Sequence, residues 1–189
     1  MKKHALLLLL PGVLSLAALA GNGKPLPPGI LPMDGRTAPE LRLENLDGET
    51  FDLADARGRW AFVHFWASWC GPCRREMPTI QRMMKRLEDE RLEIVMVNTA
   101  ETEDQVFTFL GIVAPDAVPL LDSDGLVTED WQPRGLPATF LVDPDGRIRY
   151  LALGGREWDT PPYLDFLRKL LSGPREEQNR EPYSSHSTR

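Results

Sequence analysis

Short segments of alternating or continuous apolar residues predict the strands of an α/β domain. Alternation over residues 41–43 and 50–53 flanks Asp47-Gly48, a dipeptide typical of a β-hairpin turn. Residues 60–66 (WAFVHFW) are almost continuously apolar, which predicts a strand buried on both faces of a sheet. The first half of the chain therefore predicts a hairpin followed by a central strand.

Helical periodicity follows this buried strand. After Cys70, apolar residues recur at steps of three and four as far as Leu87, with charged residues between them. Residues 92–97 (LEIVMV) predict a second buried strand, and residues 103–110 predict a second helix. Strand, helix and strand in succession indicate a layered α/β fold.

The C-terminal half predicts two antiparallel strands and a closing helix. Residues 138–142 and 147–153 form the strands, joined by the turn Asp143-Pro144-Asp145-Gly146. Residues 163–171 predict the last helix. The expected architecture is a central β-sheet with helices on both faces.

The two ends of the chain differ from this domain, which we place at residues 38–172. Residues 1–20 have a basic start and an apolar run, as in a signal peptide or a short membrane anchor. Residues 21–37 are rich in Pro and Gly and predict a tether. Residues 173–189 are polar without apolar periodicity and predict a disordered tail.

The small-x-small sequence Ala18-Leu19-Ala20 suits cleavage by a signal peptidase before Gly21. Export places the chain in the periplasm or cell envelope, either soluble or anchored to the inner membrane. A net charge of −6 without a dense basic patch argues against a nucleic-acid partner.

The chain has only two cysteines, Cys70 and Cys73. A disulfide across two residues closes so short a loop that it constrains the unfolded chain very little. The pair therefore indicates chemistry or metal binding. A zinc site needs further ligands, and two of the three histidines, His4 and His186, lie in the N-terminal signal and the C-terminal tail. We expect no metal and no cofactor beyond a redox-active disulfide.

The position of the pair at a strand-to-helix junction predicts thiol–disulfide exchange. Unpaired N–H groups at a helix N-terminus favour the thiolate, so Cys70 is expected to be the exposed nucleophile. Cys73, one turn along and more buried, would resolve the mixed disulfide. Pro72 suits the first turn of the helix because its missing N–H is not needed there.

A family resemblance rests on the motif FWASWCGPC at residues 65–73, which resembles the active site of the thioredoxin superfamily. The continuation RREMP at residues 74–78 resembles the exported TlpA/ResA-type branch, as do TAP at residues 37–39 and GLPATF at residues 135–140. The resemblance implies a thioredoxin fold, with a mixed sheet flanked by helices and an added N-terminal β-hairpin.

The same resemblance implies a substrate-binding surface beside the cysteines. Pro137 takes the place of the family's cis-proline, whose neighbouring backbone, here that of Leu136, pairs with the substrate chain. Trp69 is expected to contribute apolar docking surface, with Gly71 and Pro72 between the cysteines. Trp66 is expected in the core.

Two acid–base positions have alternative interpretations. Glu76 matches a glutamate that lies near the cysteines in the ResA-type branch. There it could shuttle protons and oppose thiolate formation, or it could be an exposed helix residue paired with arginines. His64 stands where classical thioredoxins carry a buried aspartate. It could accept the proton of Cys73, or it could be a hydrogen-bonded core histidine without a catalytic role.

The resemblance implies a monomeric envelope enzyme that reduces disulfides in exported proteins, such as apocytochrome c or copper-site cysteines. A membrane thiol transporter would supply the electrons. The alternatives are a binding module or copper chaperone without turnover, and an oxidant or isomerase. A peroxidase of the peroxiredoxin branch is disfavoured, because it expects a lone cysteine in a Pro/Thr-rich loop.

Overall fold

The computed structural model describes residues 25–173, which form one eight-stranded sheet and four helices. The predicted signal segment, the first residues of the tether and all but Gly173 of the predicted tail lie outside the described residues. The strands are β1 (Ile30–Pro32), β2 (Arg42–Asn45), β3 (Thr50–Asp52), β4 (Trp60–Trp66), β5 (Leu92–Thr99), β6 (Pro119–Asp122), β7 (Ala138–Val142) and β8 (Ile148–Leu153). The helices are α1 (Gly71–Arg86), α2 (Glu103–Val113), α3 (Leu126–Trp131) and α4 (Pro161–Ser172).

The sheet is mixed, in the order β1-β8-β7-β4-β5-β6-β2-β3. Its centre, β4 with β5 and β5 with β6, is parallel, and β7 pairs with β4 antiparallel. All seven residues of β4 are buried, as the apolar run predicts for a central strand. The predicted fold class, a thioredoxin-like mixed sheet flanked by helices, is confirmed.

The sheet separates two apolar cores. One lies under α1, α2 and α4 and includes Phe62 and Trp66 of β4. The other lies on the opposite face, under α3 and the N-terminal hairpin, and includes Phe65 of β4 and Trp131 of α3. Alternate residues of β4 therefore bury into opposite layers, which fixes the position of the strand end that leads to Cys70.

The predicted hairpin is formed by β2 and β3, and β2 attaches it to the sheet edge through β6. The Asn45 side chain accepts hydrogen bonds from the N–H groups of Asp47 and Glu49. Gly48 has a φ of 77°, a backbone conformation that glycine adopts without a steric cost.

The predicted tether is wrong for its C-terminal part, because β1 joins the sheet. Ile30 pairs with Ala152 of β8 and buries its side chain, and Thr37 forms a bridge with Arg147. β1 is an edge strand, so its backbone pairs with a neighbouring strand on one side only. Proline, which has no N–H to donate, is compatible with such a position. The domain therefore begins near residue 30 instead of 38.

β6 and α3 were not predicted from the sequence pattern. Pro119 opens β6, and the strand has only four residues, so its apolar signal is short. The six-residue α3 is too short for a periodic signal; the buried Asp122 carboxylate accepts the N–H groups of Val127 and Thr128, and Trp131 packs against Phe65 and Phe140. The last helix also begins two residues earlier than predicted, at Pro161.

Candidate active site

The two cysteines lie where β4 ends and α1 begins. Cys70 is the N-cap of α1 and forms a disulfide with Cys73, with their Cα atoms 5.3 Å apart. The Cys73 N–H donates a hydrogen bond to Cys70 Sγ over 3.3 Å. Gly71 and Pro72 form the first two positions of the helix, as predicted. The helix N-terminus thus presents its unpaired N–H groups to the sulfur of Cys70.

Cys70 is much less exposed than the sequence predicts. Cys70 is 4% exposed and Cys73 is fully buried, so the order is right but both sulfurs are largely covered. The reason is the disulfide itself, which turns the Cys70 side chain into the first helical turn. Trp69 beside it is 68% exposed, so its apolar ring faces solvent, and its role in docking a partner stays a prediction.

The Leu136–Pro137 peptide bond is cis, as predicted. Pro137 immediately precedes β7, whose first residue, Ala138, pairs with Phe65 near the end of β4. The proline therefore lies at the same end of the sheet as the junction between β4 and Cys70. Its carbonyl accepts the N–H of Gly154, and Leu136 is partly buried against both cores.

Glu76 is buried at 3% exposure, so its interpretation as an exposed helix residue is wrong. The Trp158 indole N–H donates to Glu76 Oε1 over 2.8 Å, and the Arg156 main-chain N–H donates to Oε2 over 3.0 Å. Burial raises the pKa of Glu76 to about 7, against the lowering effect of these hydrogen bonds and of the Arg156 charge. The carboxyl group can therefore gain or lose a proton near neutral pH.

His64 lies fully buried in β4, beside Glu76. Its Nδ1 is 2.9 Å from Thr139 Oγ1 and 3.7 Å from Glu76 Oε1. Burial, and secondarily the Arg156 charge, lower the pKa of His64 to about 3, so the ring is neutral at pH 7. The approach to Glu76 is therefore not an ion pair at that pH. Nε2 has no hydrogen-bond partner among residues 25–173, and the role of His64 in proton relay stays a prediction.

A second buried carboxylate, Glu101, supports the loop before Cys70. Its Oε2 accepts the main-chain N–H of Ser68 over 2.6 Å and the side-chain amide of Asn98 over 2.7 Å. The Ser68 hydroxyl donates to Oε1. Arg74 also binds this loop, through a 3.1 Å hydrogen bond from its guanidinium to the Ser68 carbonyl. These contacts fix Ser68, two positions before Cys70.

Sequence reasoning missed Glu101, Thr139, Arg156 and Trp158. Two of them had a signal in the predicted topology. Glu101 follows β5, which is parallel to β4. The C-terminal ends of both strands therefore lie at the same end of the sheet, the end that carries Cys70. Thr139 pairs directly with His64 across β4 and β7. Arg156 and Trp158 lie in a segment between β8 and α4 that has no periodic pattern.

An open groove of about 500 Å³ lies between the loop before Cys70 and α2. Its lining includes Ser68, Arg74, Phe109 and the exposed Ile112. Within residues 25–173, no cluster of three or more His, Cys, Asp or Glu side chains is arranged to hold a metal ion. No helix in this described part of the chain has the length and apolar character to cross a membrane.

Comparison with known proteins agrees with this geometry. The AhpC/TSA family model matches residues 35–151. Thiol-disulfide oxidoreductase ResA of Bacillus subtilis is 32% identical over 121 residues, which cover 64% of this chain and 68% of that protein. Thioredoxin-like protein YneN of the same organism is 34% identical over 124 residues, which cover 64% and 72%.

Among solved structures, a thiol:disulfide interchange protein from a Bacteroides species superposes with a TM-score of 0.64 at 26% identity. The superposition covers 77% of this chain and 94% of that one. The DsbF protein of MTB, at 23% identity and a TM-score of 0.58, shares the fold. The family match spans more than half of the sequence, so the chain belongs to the AhpC/TSA family and is one of its thioredoxin-fold thiol–disulfide oxidoreductases.

Proposed function

We propose that this oxidoreductase reduces disulfides in exported proteins of the bacterial cell envelope. The observation that carries the proposal is the Cys70–Cys73 pair at the N-terminus of α1, beside the cis Pro137 segment. The apolar run in residues 1–20 supports export. Apocytochrome c and copper-site cysteines are the proposed substrates, because the family resemblance to TlpA/ResA-type proteins points to them.

The reduced pair would transfer two electrons in two exchange steps. The Cys70 thiolate attacks one sulfur of the substrate disulfide, and the other substrate sulfur leaves as a thiolate. Cys73 then loses its proton and attacks Cys70 Sγ. The mixed disulfide breaks, the substrate leaves as a dithiol, and Cys70 and Cys73 are oxidised to the disulfide. A membrane dithiol transporter would reduce the pair again.

Glu76 is the proposed acceptor of the Cys73 proton. The two residues are three positions apart on α1, so they lie on the same face of the helix. A pKa of about 7 makes the carboxylate available as a base near neutral pH, and the acid it becomes can return the proton later. His64, neutral and buried next to Glu76, is a proposed second participant.

The test uses an oxidised peptide that contains Cys-x-x-Cys-His, the haem-attachment sequence of c-type cytochromes. Cys73→Ser in the reduced form should accumulate a mixed disulfide between Cys70 and the peptide, identified by mass spectrometry. Cys70→Ser should form no adduct and show no turnover. A Cys73→Ser protein that forms no adduct, or a Cys70→Ser protein that keeps activity, would contradict the proposed cycle. Equal rates with a peptide in which His is replaced by Ala would contradict selectivity for apocytochrome sequences.

A further inference from the structure

The segment between β8 and α4, residues 154–160, lies against the first turns of α1. Its Arg156 N–H and Trp158 indole N–H each bind one oxygen of the Glu76 carboxylate. Gly155 is so close that a Cβ atom there would be 3.1 Å from both Glu76 Oε2 and the Pro72 carbonyl oxygen. The segment therefore touches both the disulfide loop and the buried acid.

We propose that Trp158 is a positioning residue for thiol–disulfide exchange, whose indole N–H holds the Glu76 carboxylate towards the cysteine face of α1. The inference rests on the proposed role of Glu76 as proton acceptor. Trp158 lies outside the helix that carries the cysteines, and it would join the residues that handle the proton of Cys73. Trp158 itself need not touch the substrate.

The surroundings of Trp158 fix the direction of its indole. The residue is fully buried, and its ring packs edge-on against Phe62 with centroids 4.7 Å apart. Tyr163 packs against it at 5.4 Å. The Trp158 main-chain N–H donates to the Thr79 hydroxyl of α1 over 3.2 Å. Both the backbone and the ring are therefore held, so the indole is a preorganised donor.

The other charged and titratable groups near Glu76 make their side-chain hydrogen bonds elsewhere, although the charge of Arg156 also lowers the pKa of Glu76. His64 of β4 has its Nδ1 2.9 Å from Thr139, closer than its 3.7 Å to Glu76 Oε1. The Arg156 guanidinium donates to the carbonyl oxygens of Leu153, Gly154 and Pro28. On α1, the neighbouring cysteines form the disulfide. The indole is thus the side-chain group that donates to the carboxylate.

An indole N–H can only donate, and its hydrogen bond is stronger to a carboxylate than to the neutral acid. Trp158 therefore stabilises the charged form of Glu76 in an environment where burial opposes it. Replacing Trp158 by Phe keeps an aromatic ring but removes the donor. The titration midpoint of Glu76 should then rise by roughly one pH unit, from the size of a hydrogen bond to a charged group.

The experiment follows Glu76 in the purified, oxidised protein, in which neither cysteine titrates. The carboxyl ¹³C resonance is recorded against pH by NMR after labelling with ¹³C-glutamate, and it is assigned by its loss in Glu76→Gln. Trp60→Phe is the matched control, because Trp60 is a buried core tryptophan whose Nε1 has no hydrogen-bond partner in the described part of the chain. Trp158→Phe should raise the Glu76 midpoint, and Trp60→Phe should leave it unchanged.

Two further measurements separate positioning from a loss of packing. In the wild-type protein, the indole Nε1–H resonance of Trp158 should titrate with the Glu76 midpoint, whether or not a variant folds. The pH profile of exchange should move in Trp158→Phe but not when the same change is made in Glu76→Gln. An unmoved Glu76 midpoint in Trp158→Phe, or a pH-independent indole resonance, would overturn the inference. Glu76→Gln with a wild-type pH profile would instead remove the proposed role of Glu76.

Discussion

Burial of the Glu76 carboxyl should make the folded protein less stable as the pH rises towards neutrality. Its pKa is about 7 in the folded protein and 4.5 for the ordinary side chain. Between these values the folded state keeps a proton that the unfolded state has lost. The free energy of unfolding therefore falls with rising pH in this interval. At about 1.4 kcal/mol per pH unit, the interval corresponds to about 3 kcal/mol.

The assay compares wild type with Glu76→Gln by urea unfolding of the oxidised proteins at pH 4.5, 6 and 8. The lowered pKa of His64 acts in the opposite sense, since its stabilisation is present above 6.5 and is lost as the pH falls towards about 3. Because both proteins contain His64, its contribution cancels in their difference. From pH 4.5 to pH 8, wild type should lose about 3 kcal/mol relative to Glu76→Gln.

Glu88→Gln is the control for replacing a glutamate, since Glu88 is exposed beyond the end of α1. It should follow the wild-type pH dependence. If wild type and Glu76→Gln show the same pH dependence of unfolding, Glu76 does not hold its proton to about pH 7. The reasoning that makes it a base near neutral pH is then refuted.

Two other predictions concern the packing and the hydrogen bonds around the site. Gly155→Ala should lower the free energy of unfolding by about 1 kcal/mol, because the new methyl group presses on Glu76 and the Pro72 carbonyl. Gly111→Ala adds a methyl group that points away from the other described elements, so it should stabilise α2 by about 1 kcal/mol instead. Glu101→Gln should cost about 2 kcal/mol and slow exchange, because the loop before Cys70 loses its charged acceptor.

Urea unfolding checks both predictions, with exchange rates measured on the same samples. Equal stability changes for Gly155→Ala and Gly111→Ala would show that residues 154–160 shift to accommodate the added methyl group without a loss of stability. Ser68→Ala retains the main-chain hydrogen bond to Glu101 and should therefore cost less than Glu101→Gln. The reverse order would contradict the interpretation of Glu101 as the support of this loop.

The sequence predicted the parts of the fold whose signals are local. The apolar run of β4, the periodicity of α1 and the Asp47-Gly48 turn each determine one element and its neighbours. Elements that depend on distant contacts were missed. β1 is held by pairing with β8, and α3 is held by Trp131, whose ring packs against Phe65 of β4 and Phe140 of β7. Neither interaction leaves a pattern in the residues of the element itself.

The difference between local signals and distant contacts also applies to the active site. The cysteine motif lies at a predicted strand-to-helix junction, so its position followed from the sequence pattern, whereas the cis bond of Pro137 and its place beside the cysteines were implied by the family resemblance. The burial of Glu76 did not, because it results from Trp158, about eighty positions along the chain. A glutamate beside two arginines has the pattern of an exposed helix face. Only the segment folded back over α1 turns it into a buried acid.

Whether Cys70 and Cys73 cycle as a reductant of other disulfides is decided by the reduction potential of the pair. The purified protein is equilibrated against glutathione or dithiothreitol buffers, and the oxidised fraction is measured by thiol labelling and mass spectrometry. We predict an internal disulfide with a potential near that of thioredoxin, about −270 mV. A potential near that of DsbA, about −120 mV, or no internal disulfide in any buffer, would contradict it.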